Sequence, residues 1–423
     1  MKSVKMQRTA LWLIVSALLP ISVFAQQQPF SQPYVHTLRT YVEGDETSFP
    51  LIELNSGGRV IVEFDILDSN IADLEYSLRH CNSDGTPSNL LPAEYANGFT
   101  INAITDYSPS VGTTVQYINY RIGFPNDDVQ MLLSGCYQVD VFYAGRPDSL
   151  VARTMFMVCE QLAGIDVEIL KPQTAVSERH SHDVRLSVDC SDLPVNDFFG
   201  ELSVSVIQNG SPFNSLTDLK PKQIAGRELI YSYAGDMMIS GGNEFRRLDM
   251  RYLRRAPVNY NQVDYHAPFF HITTPTDESR AFKPYFTDTD QNGQYLIYAE
   301  TVNKSFDDYY RAADYAYAHL TLASEPMLDG DVFVCGGFCN WQLDSTNMMR
   351  YNFQQHRYES DLFLKQGVYD YIYVCRNSHT GQVDTERFEG SHSQTGNTYL
   401  FLVFFRPTTG EYEQLVGVLE VKN

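Results

Sequence analysis

The sequence is short of basic residues, and this shortage limits the partners that the protein can have. Lysine and arginine together number 31, against 52 aspartate and glutamate residues, and the formal net charge is −21 at pH 7. Proteins that bind nucleic acid need a basic face to displace the counterions of the phosphates, so we expect no nucleic-acid partner. The same negative field should repel anionic lipid surfaces.

The motifs of common enzyme classes are also absent. The chain has no G-x-S-x-G nucleophile turn, no H-E-x-x-H helix, no phosphate-binding glycine loop and no C-x-x-C pair. Cys335, Cys339 and Cys375 have no histidine nearby at a spacing typical of zinc sites, which favours structural thiols or a disulfide over a metal. We therefore expect a protein that is not an enzyme and needs no cofactor.

Only one segment is strongly apolar, and it is short. Three cations precede an apolar stretch over residues 11–23, and Val23-Phe24-Ala25 closes it before Gln26. This is the pattern of a secretory signal peptide. No later segment approaches the ~20 apolar residues that a membrane-spanning helix needs. We expect a soluble chain without direct membrane insertion, exported to the periplasm of a two-membrane cell or released outside.

The cysteines are seven, an odd number for an exported protein. At least one of them is therefore free or paired with another molecule. Cys136 and Cys159 flank a predicted hairpin that turns near Gly145, and folding it there places them roughly opposite each other on the outward face. A cross-strand disulfide and two unpaired thiols both fit this pattern.

Strand patterns replace the helical periodicity that the chain lacks. After a turn at 134–135, Tyr137, Val139 and Val141 fall on one face of a strand, and Gln138 and Asp140 fall on the other. Short alternating runs of this kind, separated by Gly, Pro, Asn and Asp, predict an all-β protein of tandem immunoglobulin-like β-sandwich domains. The expected divisions are a signal peptide at 1–25 and sandwiches at 26–160, 161–274 and 275–423.

The last of these domains carries a cluster of aromatic residues. Its segment 331–374 is similar to the early-set immunoglobulin-like domains that include glycogen-binding modules. Phe338, Trp341, Tyr371 and Tyr373 would then form a platform on which sugar rings stack, or they would fill the core of the sandwich without any ligand.

The segment 288–293 matches the first half of a calcium-binding loop. Asp288, Asp290 and Asn292 alternate, and Gly293 permits a sharp turn. Leu296 and Ala299 stand where the second half needs oxygen ligands. A calcium site and an Asx-type turn between strands are therefore the two interpretations.

The run 244–255 concentrates five arginines in an acidic molecule. Arg246, Arg247, Arg251 and Arg254 are candidates for contact with an acidic partner surface, because arginine is favoured at interfaces. The alternative is an edge strand that uses its charges to resist aggregation.

Several segments, in order, resemble the type IX secretion system plug protein family of Bacteroidetes-type bacteria. Between Tyr41 and Tyr143 these are YVEGDETSFPLIEL, HCNSDG, EYANGF, YINYRIGFPNDD and SGCYQVDV, and further downstream GGNEFRRLD, LKQGVYDYIYV and EGSHSQTGNTY. The resemblance implies a periplasmic protein, monomeric within a hetero-complex, that binds the outer-membrane barrel translocon. It would close the periplasmic opening while no cargo shuttle is engaged. An exported glycan-binding protein that uses its C-terminal domain is the alternative.

Overall fold

The computed structural model describes residues 29–172, 180–254, 262–299, 309–410 and 412–423. The expected signal peptide lies outside these residues. Strands account for 52% of the described chain and helices for 3%, which confirms the all-β prediction. None of the described helices is long and apolar enough to span a membrane.

The first sandwich is formed by the N-terminal part of the chain. Its elements are β1 (Phe30–Ser31), β2 (Val35–Val42), β3 (Leu51–Glu53), β4 (Val60–Ile66), β5 (Leu74–Cys81), α1 (Pro92–Tyr95), β6 (Ala96–Gly98), β7 (Ile101–Ala103), β8 (Asp106–Pro109), β9 (Ile118–Phe124), β10 (Val129–Met131), β11 (Gly135–Tyr143) and β12 (Arg146–Cys159). One sheet has the order β1-β12-β11-β5-β7, with β3 beside β12, and the facing sheet has the order β2-β4-β9-β8. Phe64, Tyr120, Tyr137 and Phe156 lie at the centre of the core between them.

The second sandwich begins next along the chain but is not completed there. Its first strands are β13 (Gly164–Leu170), β14 (Ser181–Asp189), β15 (Leu202–Gln208), β16 (Ser211–Leu219), β17 (Gln223–Ala225), β18 (Glu228–Ile230) and β19 (Met238–Ser240). They form the sheet β13-β14-β18-β17, with β19 beside β14, and half of a second sheet.

The third sandwich is inserted at this point, and the chain then returns to the second. The inserted elements are β20 (Arg246–Asp249), β21 (Gln262–His266), β22 (Phe269–Thr273), β23 (Asp277–Glu278), β24 (Tyr295–Ile297), α2 (Tyr309–Ala312), β25 (Tyr315–Ala323), β26 (Gly330–Cys335), β27 (Arg350–Asn352), β28 (Arg357–Lys365), β29 (Gly367–Asn377) and β30 (Val383–Asp384). The final hairpin, β31 (Thr398–Phe405) and β32 (Gln414–Lys422), completes the sheet β16-β15-β31-β32 of the second sandwich.

The expected division between residues 274 and 275 does not follow these sheets. Strand β31 pairs with β15 from Leu202 opposite Phe405 to Gln208 opposite Tyr399. Strands β20 and β22, which precede residue 274, pair with β29 and β25 of the third sandwich. Local alternation shows where a strand lies but not which distant strand it joins, and so the insertion was not foreseen.

Strand β31 is buried along its whole length because both of its faces are covered. Tyr399, Phe401, Val403 and Phe405 pack into the core of the second sandwich. Leu400, Leu402 and Phe404 point the other way and pack with Leu415 of β32 against three cysteines of the first sandwich: Cys81, Cys136 and Cys159. The first and second sandwiches therefore share one apolar layer.

Of the two interpretations of Cys136 and Cys159, the disulfide is wrong and the unpaired thiols are found. In the register of β11 and β12, Cys136 lies opposite Met157, and irregularities between Val141 and Tyr143 shift the pairing near the turn. All seven cysteines are free thiols. The two residues do point away from the core of their own sandwich, as expected, but the second sandwich covers them.

Replacing Leu402 by alanine should lower the free energy of unfolding by about 2–5 kcal/mol, because it leaves a cavity in the shared apolar layer. Urea denaturation of the purified protein measures this loss. The matched control is Leu170→Ala at an exposed position, which should change the stability by less than about 0.5 kcal/mol. Equal stabilities for the two variants would contradict the packing described for β31.

Candidate interaction surface

The arginine run begins on β20, where alternation sends neighbouring residues to opposite sides. Arg246 points inward and is only 9% exposed. Its guanidinium donates to Asp277 at 2.8 Å and to Glu389 at 2.9 Å, and lies 5.0 Å from the ring centroid of Tyr373. Arg246 as a contact to a partner is therefore a wrong prediction, because its charge is already paired inside the third sandwich.

Glu389 is the buried centre of this group of charges. It also accepts a hydrogen bond from Arg280 at 2.6 Å and from the backbone N–H of Tyr373 at 2.9 Å. Burial would raise the pKa of Glu389, but the charges of Arg246 and Arg280 outweigh burial and lower it. The charges of Arg246, Arg280 and Glu389 are therefore paired with one another within the third sandwich.

The proposed sugar platform is not present at the expected aromatic residues. The hydroxyls of Tyr371 and Tyr373 donate to Asp277 at 2.8 and 2.7 Å, and both rings are buried. Trp341 is buried between Phe213 and Phe245, and Phe338 lies edge-on to Tyr369. These side chains fill the third sandwich and its border, so the expectation of an exposed stacking surface is wrong for them.

The segment 288–293 is folded as a turn that uses its own oxygens. Asp290 accepts the backbone N–H groups of Asn292 and Phe245, and exposed Asp288 accepts that of Thr289. Asn292 and Gly293 have φ values of 52° and 82°, a region in which glycine and asparagine are tolerated best. Across the described ranges, no three or more His, Cys, Asp or Glu side chains are grouped so that they could hold a metal ion. The hydrogen bonds are those of the Asx-type turn.

Arg247 and Arg251 of the arginine run border a cleft between the first and third sandwiches. The cleft has a volume of about 310 Å³ and is lined by Glu46, Arg247, Arg251, Gln291, Leu296, Ile297, Tyr298, Tyr310 and Val368. Arg247 is exposed and donates to the carbonyl oxygen of Thr289 at 2.9 Å. Arg251 is half-buried and is paired with Asp249 at 2.5 Å, and Arg254 is exposed. We call Arg247, Arg251 and Arg254 the arginine rim.

Behind the cleft, buried charges join the first sandwich to the third. Arg39 donates to Glu46 at 2.6 Å and to Glu63 at 2.8 Å, and Glu46 also accepts the hydroxyl of Tyr310 from the third sandwich. Burial would raise the pKa of Glu63, but Arg39, Lys365 and two hydrogen bonds lower it to about 2. Glu63 therefore stays ionised at neutral pH.

The deepest contact of this network is the ion pair of Asp65 and Lys365. Their side chains are fully buried and lie 2.6 Å apart. Tyr315 donates to Asp65 at 2.7 Å, and the Lys365 ammonium lies 4.2 Å from the ring centroid of Tyr117. Sequence reasoning missed this pair because its members are 300 residues apart. The available signal was Glu63 and Asp65 at alternate positions in the apolar run VIVEFDI.

All three sandwiches meet at a second, mostly apolar cavity of about 340 Å³. The first sandwich contributes Phe49 and Met157, the second Ile207 and Leu400, and the third Trp341. The cavity lies beside the shared apolar layer at the junction of the three sandwiches.

Comparison with known proteins identifies the family. The sequence model of the type 9 secretion system plug protein first domain matches residues 35–160, which end one residue after β12. A solved structure of a hypothetical protein from Parabacteroides merdae ATCC 43184 is 32% identical to this chain. It covers 93% of this chain and 98% of its own, with a TM-score of 0.88. The chain belongs to the type IX secretion system plug protein family.

The family implies a role in type IX secretion and association with an outer-membrane component of that system. A second solved structure, a putative membrane anchored protein from Corynebacterium diphtheriae, is 9% identical over 90% of this chain and 91% of its own. Its TM-score of 0.13 supports no comparison of folds. No curated protein matches the chain. In this plug-family protein the matched domain is the first sandwich, which carries Arg39, Glu46 and Asp65.

Replacing Lys365 by methionine should lower the free energy of unfolding by about 3–5 kcal/mol, because Asp65 would remain as a buried charge without its cation. Urea denaturation measures the loss. The double variant Asp65→Asn/Lys365→Met should recover part of it, and Lys422→Met at an exposed position should have no effect. A loss below about 1 kcal/mol in the single variant would show that the pair does not join the sandwiches.

Asp370, near the cleft, should make stability depend on pH. Its carboxyl is buried and accepts the N–H groups of Gln291 and Gly293. Burial foremost, with the charge of Asp290, raises its pKa to about 7. Between pH 4 and 7 the unfolded chain ionises this group while the folded chain holds the proton, so its contribution to stability falls as pH rises. The difference in melting temperature between wild type and Asp370→Asn should therefore change with pH over this range. A difference that stays constant would contradict the raised pKa of Asp370.

Proposed function

We propose that this protein is a non-enzymatic periplasmic plug of the type IX secretion system. It binds the outer-membrane barrel translocon and closes the periplasmic opening when no cargo shuttle is engaged. The observation that carries the proposal is the match of the first sandwich to the first domain of the plug family. The TM-score of 0.88 to the Parabacteroides merdae protein supports the assembly of three sandwiches as an arrangement shared with that relative.

The packing of the sandwiches suits a protein that closes an opening by its bulk. A pore wide enough for folded cargo leaks solutes unless the obstacle in it keeps its shape. The shared apolar layer at β31 and the buried pair Asp65–Lys365 hold the second and third sandwiches against the first. Docking then costs little conformational entropy, because the binding face is already formed before the partner binds.

The arginine rim is the proposed docking contact. It presents exposed guanidinium groups at Arg247 and Arg254 in a molecule with a net charge of −21, and would meet an acidic surface on the translocon. Exposed charges of this kind act mainly on the association rate. If the translocon cannot hold the plug and a cargo shuttle together, a contact that forms and breaks readily lets the two alternate.

Reversing the rim charges should weaken binding without unfolding the protein. In pull-downs from solubilised outer membranes, wild type should recover the barrel, and Arg247→Glu/Arg254→Glu should bind it more slowly, on the order of tenfold at low salt. Raising the ionic strength should narrow the difference, because salt screens exposed charges. Surface plasmon resonance with the purified barrel measures both rates.

The control for this experiment is Arg79→Glu/Arg146→Glu, at exposed positions on β5 and β12 of the first sandwich, with the same change of charge. Circular dichroism must show that every variant is folded, and Arg246→Glu is unsuitable because it breaks buried ion pairs. Failure of wild type to recover the barrel would contradict the plug. Normal binding by the folded rim variant would exclude only the rim.

A further inference from the structure

The outer face of the sheet β21-β22-β25-β28 carries a row of histidine and aspartate residues. Asp264 lies directly opposite His271, and His319 lies directly opposite Asp361. Parallel pairing of β22 with β25 places His271 and His319 diagonally across neighbouring strands. The intervening residues of these strands, such as Ile272 and Ala318, are buried in the core. The titratable side chains therefore share the side of the sheet that faces away from the core.

Two of these histidines and one aspartate form a chain of hydrogen bonds with a defined direction. His319 Nδ1 lies 2.5 Å from the Asp361 carboxylate, and His319 Nε2 lies 2.9 Å from His271 Nδ1. The two imidazole planes are within 4° of parallel. A carboxylate only accepts, so His319 Nδ1 carries a proton, and in the neutral imidazole Nε2 is then an acceptor. His271 Nδ1 must then donate, which leaves the lone pair of His271 on Nε2.

A third imidazole, that of His266, lies on β21, on the side of β22 away from His319. The ring centroid of His266 is 5.0 Å from that of His271. Two imidazoles bound to one zinc ion at about 2.0–2.1 Å in a tetrahedral arrangement have centroids about 5 Å apart. Asp264 adds a negative charge on the same face, which favours a cation there.

We propose that this face binds one divalent transition-metal ion of the zinc type, with His271 Nε2 and His266 as its protein ligands. Water completes the coordination, in keeping with the lack of any preformed group of three acidic, histidine or cysteine ligands in the described chain. His319 and Asp361 are positioning residues, since a hydrogen bond to the second nitrogen fixes the tautomer and orientation of a metal-binding histidine. The site is separate from the arginine rim and does not depend on the plug function.

The test is titration of Zn²⁺ alone into the untagged, processed protein, followed by calorimetry. Wild type should take up one ion per chain and gain thermal stability, because the ion binds only the folded sheet. His271→Gln and His266→Gln should each lose at least about 100-fold in affinity, and Asp361→Asn should lose about 10–100-fold. His379→Gln, in an exposed turn of the same sandwich, should bind as wild type.

Melting temperatures without zinc show whether each variant is folded, and Asp361→Asn serves as the informative variant if a histidine replacement is not. Absence of saturable uptake by wild type overturns the proposal, as does undiminished uptake by folded His271→Gln. Equal affinity in Asp361→Asn overturns the role given to the hydrogen-bonded chain. The variant His271→Gln should still recover the barrel in a pull-down whether or not zinc binds. The result of the zinc titration is therefore independent of the result for the plug hypothesis.

Discussion

Burial of β31 on both faces is the constraint on which the arrangement of the three sandwiches depends. One face of the strand completes the core of the second sandwich, and the other, through Leu400, Leu402 and Phe404, covers the first. The second sandwich can form only after the chain has returned from the inserted third sandwich. The third sandwich is therefore connected to the second at both of its ends. The third sandwich is thus tied to the junction of the other two, and the apolar cavity where all three meet follows from this topology.

The contact between the first and third sandwiches rests on a different kind of interaction. Asp65 and Lys365 are a fully buried ion pair, and such a pair adds less net stability than an apolar contact because both charges lose their hydration. Its effect is on geometry, since Asp65 of the first sandwich has to reach both Lys365 and Tyr315 of the third. Apolar burial at β31 supplies the attraction, and the charged network fixes the alignment. A plug needs both, because its outline has to match that of an opening.

Alternation in the sequence predicted the strands and the all-β class, and the order of short segments predicted the family. The alternation of polar and apolar residues failed as a guide where a strand is covered on both faces. TYLFLVFF in β31 has no polar phase, as in other strands buried on both sides, and nothing local tells which distant strand it joins. Cys136 and Cys159 were correctly expected to point away from the core of their own sandwich. Residues that face outward in one domain are nevertheless buried when another domain covers them. The prediction for Arg246 failed for a different reason, since its partners Asp277 and Glu389 belong to the same sandwich but are distant in sequence.

The arginines of one run therefore have opposite roles, which depend on a single step of alternation along β20. Arg246 is bound by two carboxylates inside the third sandwich, whereas Arg247, one residue on, faces the cleft and makes a single hydrogen bond to a carbonyl group. A docking contact built from the exposed members acts mainly on the association rate and is weakened by salt, and it is easily reversed because its charges are few. Those are the properties that a plug requires if it must leave the translocon whenever a cargo shuttle arrives.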